Sequence, residues 1–306
     1  MVQKQTQART ARAPWRKAAF AAISLLYLSL IYGAPALLLS LLLRAWPGSF
    51  WRLGCAFAGP VLYSVGFLVT AGCLSLYHQP AIVPGRFPRD TAHPVYFHRR
   101  LYGLCWTTLF YCKPVYSLCL AVPLLKRLMF RLFGYRGGMN FTVYPDSWIR
   151  DLPLLRFGDG VYISNRATLG TNIALASGHI LVDRIELEDG AMVGHLAMLA
   201  PGVRLGRRAE IAVGCAIGIG SVIGDGAKVL PTCTVEHGVV MSARAVAGTM
   251  SYLGNKAFIG QGVQLAPGTL LTRRSIVTSR HDADAYISST TRISGTLASA
   301  EALDDE

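Results

Sequence analysis

Residues 185–206 read Ile185-Glu-Leu-Glu-Asp-Gly-Ala-Met-Val-Gly-His-Leu-Ala-Met-Leu-Ala-Pro-Gly-Val-Arg-Leu-Gly206, and a large apolar residue returns at every sixth position from Leu187 onward. The same period extends from Phe157 to Leu271, where nineteen of twenty positions at this spacing carry a large apolar side chain. A fixed period over this length outranks local helix or strand propensity, so the repeat sets the fold.

Within each six-residue repeat, two further positions are restricted in size. The second position is often Gly, as in Gly194, Gly206 and Gly218, and Gly tolerates the positive φ of a tight corner. The fifth position is small or β-branched, as in Ala197 and Val203. One large and one small inward side chain per repeat indicate a short strand followed by a turn. The pattern has neither the 3.6-residue period of a helix nor the two-residue alternation of a long strand. Stacked repeats of this kind predict a mainly β fold, a parallel β-helix.

The repeated motif Leu-Gly-x-x-Ala-x resembles the bacterial hexapeptide-repeat acyltransferases, and the resemblance covers about 120 of the 306 residues. We assign the acyltransferase-like β-helix to residues 154–276. The resemblance implies a left-handed, three-sided parallel β-helix with three repeats per coil, so that the twenty repeats make between six and seven coils. It also implies a homotrimer, with acetyl-CoA or another acyl-CoA as a co-substrate and no permanently bound cofactor.

Two uncharged segments precede the repeat. Ala18 to Leu43 holds 26 residues and Leu53 to Tyr77 holds 25, and each is longer than the roughly 20 residues that cross a bilayer. A signal peptide is the alternative for the first segment, but its apolar core is too long and no clear small-x-small cleavage site precedes a polar start. We therefore predict a transmembrane helical hairpin over residues 18–77.

The charges that flank this hairpin predict its orientation. Five Lys and Arg residues lie in a basic tail, residues 1–17, two flank the short loop between the segments, and four follow the second segment by residue 100. Because Lys and Arg collect on the cytoplasmic side of a membrane, both ends of the hairpin should be cytoplasmic. The β-helix should then face the cytoplasm from a bacterial inner membrane.

Residues 78–153 are predicted to hold membrane-associated helices and a connector. Residues 101–125 are apolar enough for a third span, which would place the β-helix outside the cytoplasm, but Lys113 and Pro114 interrupt them. We favour helices that lie in the membrane interface or re-enter it. Gly, Pro and Asp residues mark 134–153 as the connector, and residues 277–306 form a polar tail that we expect to be flexible.

The formal net charge is +13, although only 15% of the residues are charged. An excess of basic residues is typical of nucleic-acid binding, but no base-stacking or groove-reading motif accompanies it, so no nucleic-acid partner is expected. Next to a predicted membrane hairpin, anionic lipid headgroups are the expected partner.

Two of the seven cysteines occupy inward small positions of the repeat. Cys215 and Cys233 are separated by three repeats, which is one coil of a three-sided helix, so we expect them to stack. A strand spacing of about 4.8 Å would allow a disulfide. A cytoplasmic location favours two buried thiols instead.

Acyl transfer from a thioester needs a base that takes the proton of the acceptor and a donor that holds the developing oxyanion. The run from Ile173 to His179, followed by the Pro-Gly-Val segment at Pro201, is similar to that of the β-helical sugar acetyltransferases, and this resemblance gives His179 the position of the catalytic base. Related enzymes usually have a long loop after this histidine. Here the repeat phase runs straight through and places His179 at an inward position, so either the coil bulges locally or the imidazole is a buried structural group.

Other polar residues of the repeat are weaker candidates. His195 is the second candidate base, because its turn position should expose it. Asn172, Glu236 and His237 are expected to bind the acceptor. His237 is also a weaker candidate base with Glu236 beside it, although neighbours in sequence rarely face each other. The resemblance also implies basic side chains for the phosphates of CoA. The residues selected are Arg207, Arg208, Lys228 and Arg244.

Two functions therefore remain open. The first is a membrane-anchored, CoA-dependent O- or N-acyltransferase that moves an acyl group, typically acetyl, to a hydroxyl or amine of a small-molecule, lipid-linked or peptide acceptor. The second is a non-catalytic β-helix that serves as an assembly or terminal module of a membrane-associated, peptide-synthetase-like system, which an unbroken repeat without an acceptor loop favours. A metal site is not expected, because the histidines occupy different repeat positions.

Overall fold

The computed structural model describes residues 13–45 and 48–286, with side chains from Ala18 onward. Most of the predicted basic tail at 1–17, and residues 287–306 of the predicted polar tail, lie outside the described residues. The chain forms two compact units. The helical unit holds the chain up to Arg136 together with Arg150–Leu154 and Ala174–Leu181, and the second unit holds Gly137–Ile149, Leu155–Ile173 and the chain from Val182.

Two long helices open the helical unit, α1 (Ala13–Ala45) and α2 (Ser49–Leu76). By length and composition, Ala18–Ala45 and Ser49–Leu76 are each able to cross a bilayer, since 28 residues extend about 42 Å at 1.5 Å per residue. The two helices pack closely at Gly66, where a Cβ atom would lie 2.9 Å from the Cβ of Pro35. The two candidate spans predicted from the sequence are thus present.

Three shorter helices follow, α3 (Pro94–Tyr111), α4 (Lys113–Ala121) and α5 (Pro123–Leu132). The helical conformation is interrupted at Cys112 and Val122, and a proline follows each break within two residues. Within the described part of the chain, only α1 and α2 have the length and hydropathy of a span. Residues 101–125 therefore do not form one continuous third helix, and their location in the interface stays a prediction.

A polar network fixes the segment Arg150–Leu154 within the helical unit. The hydroxyl of Tyr102 donates to the carbonyl oxygen of Phe133 at 2.9 Å and accepts from the backbone N–H of Leu152 at 3.2 Å. Arg99 forms an ion pair with Asp151. These contacts attach the short 3₁₀ turn Leu152–Leu154 to α3.

The second unit contains three sheets of short parallel strands. The first sheet holds β2 (Phe141–Val143), β5 (Val161–Ile163), β10 (Met192–Val193), β13 (Glu210–Ile211), β16 (Lys228–Val229) and β19 (Val246–Ala247). The second sheet holds β3 (Trp148–Ile149), β6 (Thr168–Leu169), β11 (Met198–Leu199), β14 (Ala216–Ile217), β17 (Thr234–Val235), β20 (Tyr252–Leu253) and β22 (Leu270–Leu271). The third sheet holds β4 (Leu155–Phe157), β9 (Ile185–Leu187), β12 (Arg204–Leu205), β15 (Val222–Ile223), β18 (Val240–Met241), β21 (Phe258–Ile259) and β23 (Ile276–Val277).

Strand register establishes the coil. Val193 pairs with Ile211, Leu199 with Ile217 and Leu205 with Ile223, so partners are separated by three repeats. Three repeats therefore make one coil, with the large apolar residue of each repeat buried inside. The predicted left-handed parallel β-helix of hexapeptide repeats is confirmed, behind an N-terminal α-helical region.

The β-helix begins earlier than its predicted boundary at residue 154. Phe141 of β2 already pairs with Val161 of β5, and Trp148 of β3 pairs with Thr168 of β6. Part of the segment predicted as a connector is thus the first coil. Paired strands at this end are offset by more than the three repeats of a regular coil, so the six-residue period did not reveal them.

A β-hairpin interrupts the coil between Leu169 and Ile185. Its strands are β7 (Asn172–Ala174) and β8 (His179–Val182), and they form a three-stranded sheet with β1 (Gly85–Pro88). The predicted unbroken repeat is wrong here. In a regular coil, the large apolar residues of consecutive strands are one repeat apart. From Leu169 on β6 to Leu187 on β9 the separation is three repeats, so the hairpin inserts two whole repeats. Because the insertion is a whole number of repeats, the six-residue spacing continues through it in the sequence. Leu175 and Leu181 fall at this spacing but lie in the hairpin and are only half-buried.

The glycines at the second repeat position have a different role from the one predicted. A Cβ atom at Gly194 would lie 2.7 Å from the carbonyl carbon of Ala212, and one at Gly218 would lie 2.5 Å from that of Glu236. These glycines therefore admit the backbone of the next coil. The positive φ occurs two positions later in the turn, as at Gly220 with φ 66°.

Cys215 and Cys233 are buried free thiols on adjacent coils, as expected for a stacked pair without a disulfide. Their Sγ–H groups donate to backbone carbonyl oxygens, Cys215 to Leu230 at 3.1 Å and Cys233 to Gly248 at 2.9 Å. A hydrogen bond with Cys233, and then burial, raise the pKa of Cys215. Both residues are packing elements of the core.

Candidate active site

His179 lies on β8 of the hairpin and is half-buried. Its Nδ1 atom is 3.1 Å from the carbonyl oxygen of Ser177. A carbonyl oxygen only accepts hydrogen bonds, so Nδ1 must carry the proton in this contact. The neutral imidazole then has its lone pair on Nε2. His179 therefore has the tautomer that a general base requires.

Two arginines of β1 and the segment after it hold the hairpin tip next to His179. The Nη2 atom of Arg86 donates to the hydroxyl of Ser177 at 2.7 Å, and the backbone N–H of Arg89 donates to the carbonyl oxygen of Gly178 at 3.0 Å. The hairpin thus carries His179 out of the repeat, so the coil departs locally from its regular path and the imidazole is not a buried group of the coil interior.

A groove of about 350 Å³ follows the second sheet of the β-helix. It runs from Gly170, which follows β6, and the start of β7 across strands β11, β14 and β17. Its lining is mostly apolar, including Ile173, Met198, Pro201, Ile217 and Val235. We call it the second-sheet groove. The three predicted acceptor-binding residues Asn172, Glu236 and His237 all line it.

The geometry of His237 differs from that of His179. Its Nδ1 atom accepts a hydrogen bond from the backbone N–H of Ile219 on the preceding coil, at 3.0 Å. A backbone N–H only donates, so Nδ1 is unprotonated and the neutral ring carries its proton on Nε2. Gly238 strengthens the same junction, because its N–H donates to the carbonyl oxygen of Ile219 at 2.8 Å. His237 is thereby prepared to donate a hydrogen bond rather than to accept a proton at Nε2.

Glu236 is fixed at the same corner of the coil. Its backbone carbonyl oxygen accepts from the hydroxyl of Ser221 at 2.8 Å, and its Oε1 accepts from the phenol of Tyr252 at 3.2 Å. Ser221 in turn accepts from the backbone N–H of Val239 at 3.2 Å. Glu236 and His237 therefore bring a carboxylate and an imidazole N–H to one end of the second-sheet groove.

His195, the second candidate base, lies elsewhere. It occupies the corner that precedes β11, where its carbonyl oxygen accepts from the N–H of Gly214 at 2.9 Å. The second-sheet groove includes the residues of β11 and the corner after this strand, but not His195. The residue is half-buried rather than fully exposed.

The four basic residues selected for phosphate binding lie along another edge of the β-helix. Arg207, Arg208 and Arg244 share the corner between the third and first sheets, and Lys228 lies on β16 beside it. Two of them pair with acids: Arg207 Nε lies 3.7 Å from Glu188 Oε2, and Lys228 Nζ lies 3.1 Å from Glu210 Oε2. We call this set the basic edge. Within one chain, the basic edge and the second-sheet groove occupy different corners.

Sequence reasoning missed most of the groove lining. Met198 and Thr234 occupy outward strand positions, and Pro201 and Gly218 occupy corners, where the repeat imposes no apolar requirement. An outward Met in a β-helix strand was the available signal, since Met198 is 54% exposed. Among the described residues, no group of three or more His, Cys, Asp or Glu side chains is arranged to hold a metal ion.

No protein-family model matches the chain, and no curated protein sequence matches it. Solved structures with a detectable likeness include a UDP-N-acetylglucosamine acyltransferase from Campylobacter jejuni, with 12% identity, coverage of 46% of this chain and 66% of that chain, and a TM-score of 0.21. PerB from Caulobacter crescentus, solved with CoA and GDP-perosamine, has 17% identity, coverage of 50% and 64%, and a TM-score of 0.19. The chain thus spans slightly less than two thirds of these two proteins.

The serine acetyltransferase of Neisseria gonorrhoeae, solved with serine, has 19% identity to the chain, with coverage of 89% of this chain and 92% of that chain and a TM-score of 0.23. At such scores these likenesses carry no weight for substrates or residue roles. The fold rests on the strand pairing, and the site rests on its own geometry.

Proposed function

We propose that the protein is a membrane-anchored acyltransferase that moves an acyl group, acetyl in the simplest case, from a CoA thioester to a hydroxyl or amine acceptor. The observation that carries the proposal is the hydrogen bond from His179 Nδ1 to the carbonyl oxygen of Ser177. This bond orients the ring and leaves the lone pair of Nε2 available. A positioned imidazole with this tautomer is suited to remove a proton near neutral pH.

The proposed reaction has one bond formed and one broken at the thioester carbon. The acceptor oxygen or nitrogen attacks the carbonyl carbon as its proton passes to Nε2 of His179. The carbon–sulfur bond then breaks, its electron pair goes to sulfur, and the thiolate takes up the proton. The products are the acylated acceptor and free CoA. A group that donates a hydrogen bond to the carbonyl oxygen lowers the barrier further.

Two surfaces of the β-helix support binding of the substrates. The second-sheet groove is apolar with polar groups at Asn172, Glu236 and His237, a combination typical of small-molecule sites. The basic edge, with Arg208 and Arg244 in turns of positive φ, offers cations to the phosphates of CoA.

We further propose a homotrimer. In one chain the groove and the basic edge lie on different corners of the β-helix, so a neighbouring copy would be needed to bring the two surfaces together. Mass measurement in mild detergent tests this proposal, and a monomer with full activity would contradict it.

A membrane location is supported by the exposed apolar surface of the two long helices and by the distribution of charge. Leu25 is 66% exposed on α1 and Phe57 is 80% exposed on α2, as expected for lipid-facing residues. Residues 1–145 contain sixteen Lys and Arg residues but a single acidic residue, Asp90. We propose the bacterial inner membrane with anionic lipids as partners and the β-helix on the cytoplasmic side, where acyl-CoA is present.

The alternative is a non-catalytic assembly or terminal module of a membrane-associated biosynthetic system. In the sequence, the apparent absence of a loop after His179 favoured this alternative. The hairpin over residues 172–182 interrupts the repeat there, so that argument no longer applies. The test is release of free thiol by the purified full chain in lipid nanodiscs, with acetyl-CoA and longer acyl-CoA thioesters against a panel of hydroxyl and amine acceptors. Acceptor-dependent thiol release, with an acylated product seen by mass spectrometry, supports the enzyme. No thiol release with any pair of thioester and acceptor supports the non-catalytic module.

A further inference from the structure

The second-sheet groove has a charge pattern that restricts its ligand. None of the described residues that line it is Lys or Arg. The one ionisable acid among them is Glu236, which is half-buried at the end of the groove. A phosphate or carboxylate placed there would find no cation in this lining and would be repelled by Glu236. The part of the groove that one chain lines therefore suits an uncharged group, and any phosphate of the ligand would lie at the basic edge.

The polar end of this groove also has a fixed arrangement of donor and acceptor. The backbone N–H of Ile219 donates a hydrogen bond to Nδ1 of His237 at 3.0 Å, so the neutral ring carries its proton on Nε2 and offers it as a donor. Glu236 offers carboxylate oxygens as acceptors, one of them oriented by Tyr252 at 3.2 Å. One donor beside one acceptor matches a group that contains both a carbonyl oxygen and an N–H, and a secondary amide has this pair.

The remainder of the groove supplies apolar contact along several coils. The lining strands β11, β14 and β17 are consecutive in the second sheet, and neighbouring strands are about 4.8 Å apart. Their outward or corner residues include Met198, Pro201 and Ala216. An extended apolar segment attached to the polar group can follow these strands.

We propose that the second-sheet groove binds an uncharged amphiphilic group, with the carbonyl oxygen of a secondary amide on His237 Nε2–H, its N–H on Glu236, and an apolar chain along the coils. This inference rests on the proposed function only in naming its substrate class. It assigns His237 as a ligand-binding donor rather than a base, and it places phosphate groups outside the groove.

The first test concerns the tautomer and needs no activity. The full chain in nanodiscs is labelled with ¹⁵N-histidine, and the ring signals of His237 are assigned with the variant His237→Asn. The expected result at neutral pH is a protonated Nε2 and an unprotonated Nδ1. A ring with its proton on Nδ1 would overturn the proposal, whether or not the protein transfers acyl groups.

The second test compares two short probes that carry the same pentyl chain, N-pentylacetamide and hexanoate. Binding is followed by the ¹³C-methyl signal of Met198, assigned with Met198→Leu. We expect saturable binding of the amide and binding of the carboxylate that is roughly tenfold weaker, because Glu236 repels it. Glu236→Gln should narrow this difference. His237→Ala should weaken amide binding roughly fivefold, the effect of one lost hydrogen bond, while His281→Ala should not.

Three outcomes would contradict the proposal: equal or tighter binding of hexanoate, an amide that binds equally well to His237→Ala, or no response of Met198 to either probe. The last outcome would indicate that something else, such as a second copy of the chain, covers the groove. Because both tests measure binding without catalysis, a failed thiol-release assay and a failed binding assay are separate results.

Discussion

The guanidinium of Arg99 and the carboxylate of Asp151 form an ion pair in the interior of the helical unit, where their side chains are 2% and 0% exposed. Arg99 belongs to α3, while Asp151 belongs to the segment Arg150–Leu154, which follows β3 and precedes β4 in the chain. Asp151 has φ 55°, a left-handed conformation that Asp and Asn tolerate better than other residues with a side chain.

We predict that Asp151→Asn destabilises the protein by about 3–5 kcal/mol, because Arg99 would stay buried without its counter-charge. Asn keeps the size of the side chain and the left-handed backbone, so the change isolates the charge. Thermal unfolding in nanodiscs measures the loss. The control is Arg204→Ala, which removes a largely exposed pair with Glu186 and should cost at most about 1 kcal/mol. Equal losses in the two variants would show that the buried pair has no special role.

The corner glycines give a second stability prediction. A Cβ atom at Gly224 would lie 2.8–2.9 Å from backbone atoms of the next coil, whereas Gly226 has free space apart from a flexible Arg244 side chain at 3.6 Å but a φ of 64°. Gly224→Ala should therefore lower the melting temperature more than Gly226→Ala, whose backbone strain costs about 1–2 kcal/mol. The reverse order would mean that positive φ, rather than coil spacing, selects glycine at these corners.

The buried His78 predicts a pH dependence of stability. Burial, and to a lesser extent the neighbouring His98, lower the pKa of His78 from 6.5 to about 4. The groups that face it are Tyr27, at 3.1 Å from Nε2, His98, at 2.9 Å from Nδ1, and the ring of Tyr77. Between pH 4 and 6.5 the unfolded chain binds a proton that the folded chain excludes, so stability should rise with pH over this interval and level off above it.

The variant His78→Gln isolates this effect, because other groups also titrate in acid. Its melting temperature should depend less on pH between 4 and 6.5 than that of the parent chain. Parallel curves for the two proteins would show that His78 is not held neutral by its surroundings.

The proposed membrane topology makes a separate prediction. Reporter fusions at the N-terminus and after Val277 should both report the cytoplasm, and a reporter in the short loop between α1 and α2 should report the opposite side. The reason is the concentration of Lys and Arg outside the two apolar helices. An extracytoplasmic signal from the fusion after Val277 would remove the β-helix from acyl-CoA and with it the proposed reaction.

The β-helix could be predicted from the sequence because its period of six is set by the geometry of the coil itself. Every large apolar residue at this spacing from Leu187 to Ile259 lies at a buried strand position. The spacing of apolar residues in the sequence was therefore sufficient to predict these strands. The hairpin could not be predicted in this way, because an insertion of two whole repeats leaves the phase unchanged. The signal that could have revealed it was local: Ser177-Gly178 is a turn pair, and His179 is a polar residue where the repeat requires a small inward one.

The site was predicted in part. Asn172 is far in the chain from the pair Glu236 and His237, and they come to one groove because corners of successive coils stack above one another. The roles of the histidines could not be separated in the sequence. They depend on whether Nδ1 faces a carbonyl oxygen, as in His179, or a backbone N–H, as in His237.

The central claim is that His179 is the base of an acyl transfer, and the most direct measurement is acceptor-dependent thiol release by His179→Asn in nanodiscs. Asn keeps a polar side chain on β8 but cannot take up the proton, so the rate should fall by about 10²–10⁴-fold, while the melting temperature and the control His281→Asn stay unchanged. Full activity of a folded His179→Asn variant would contradict the account, and loss of activity in His195→Asn instead would assign the base to that residue.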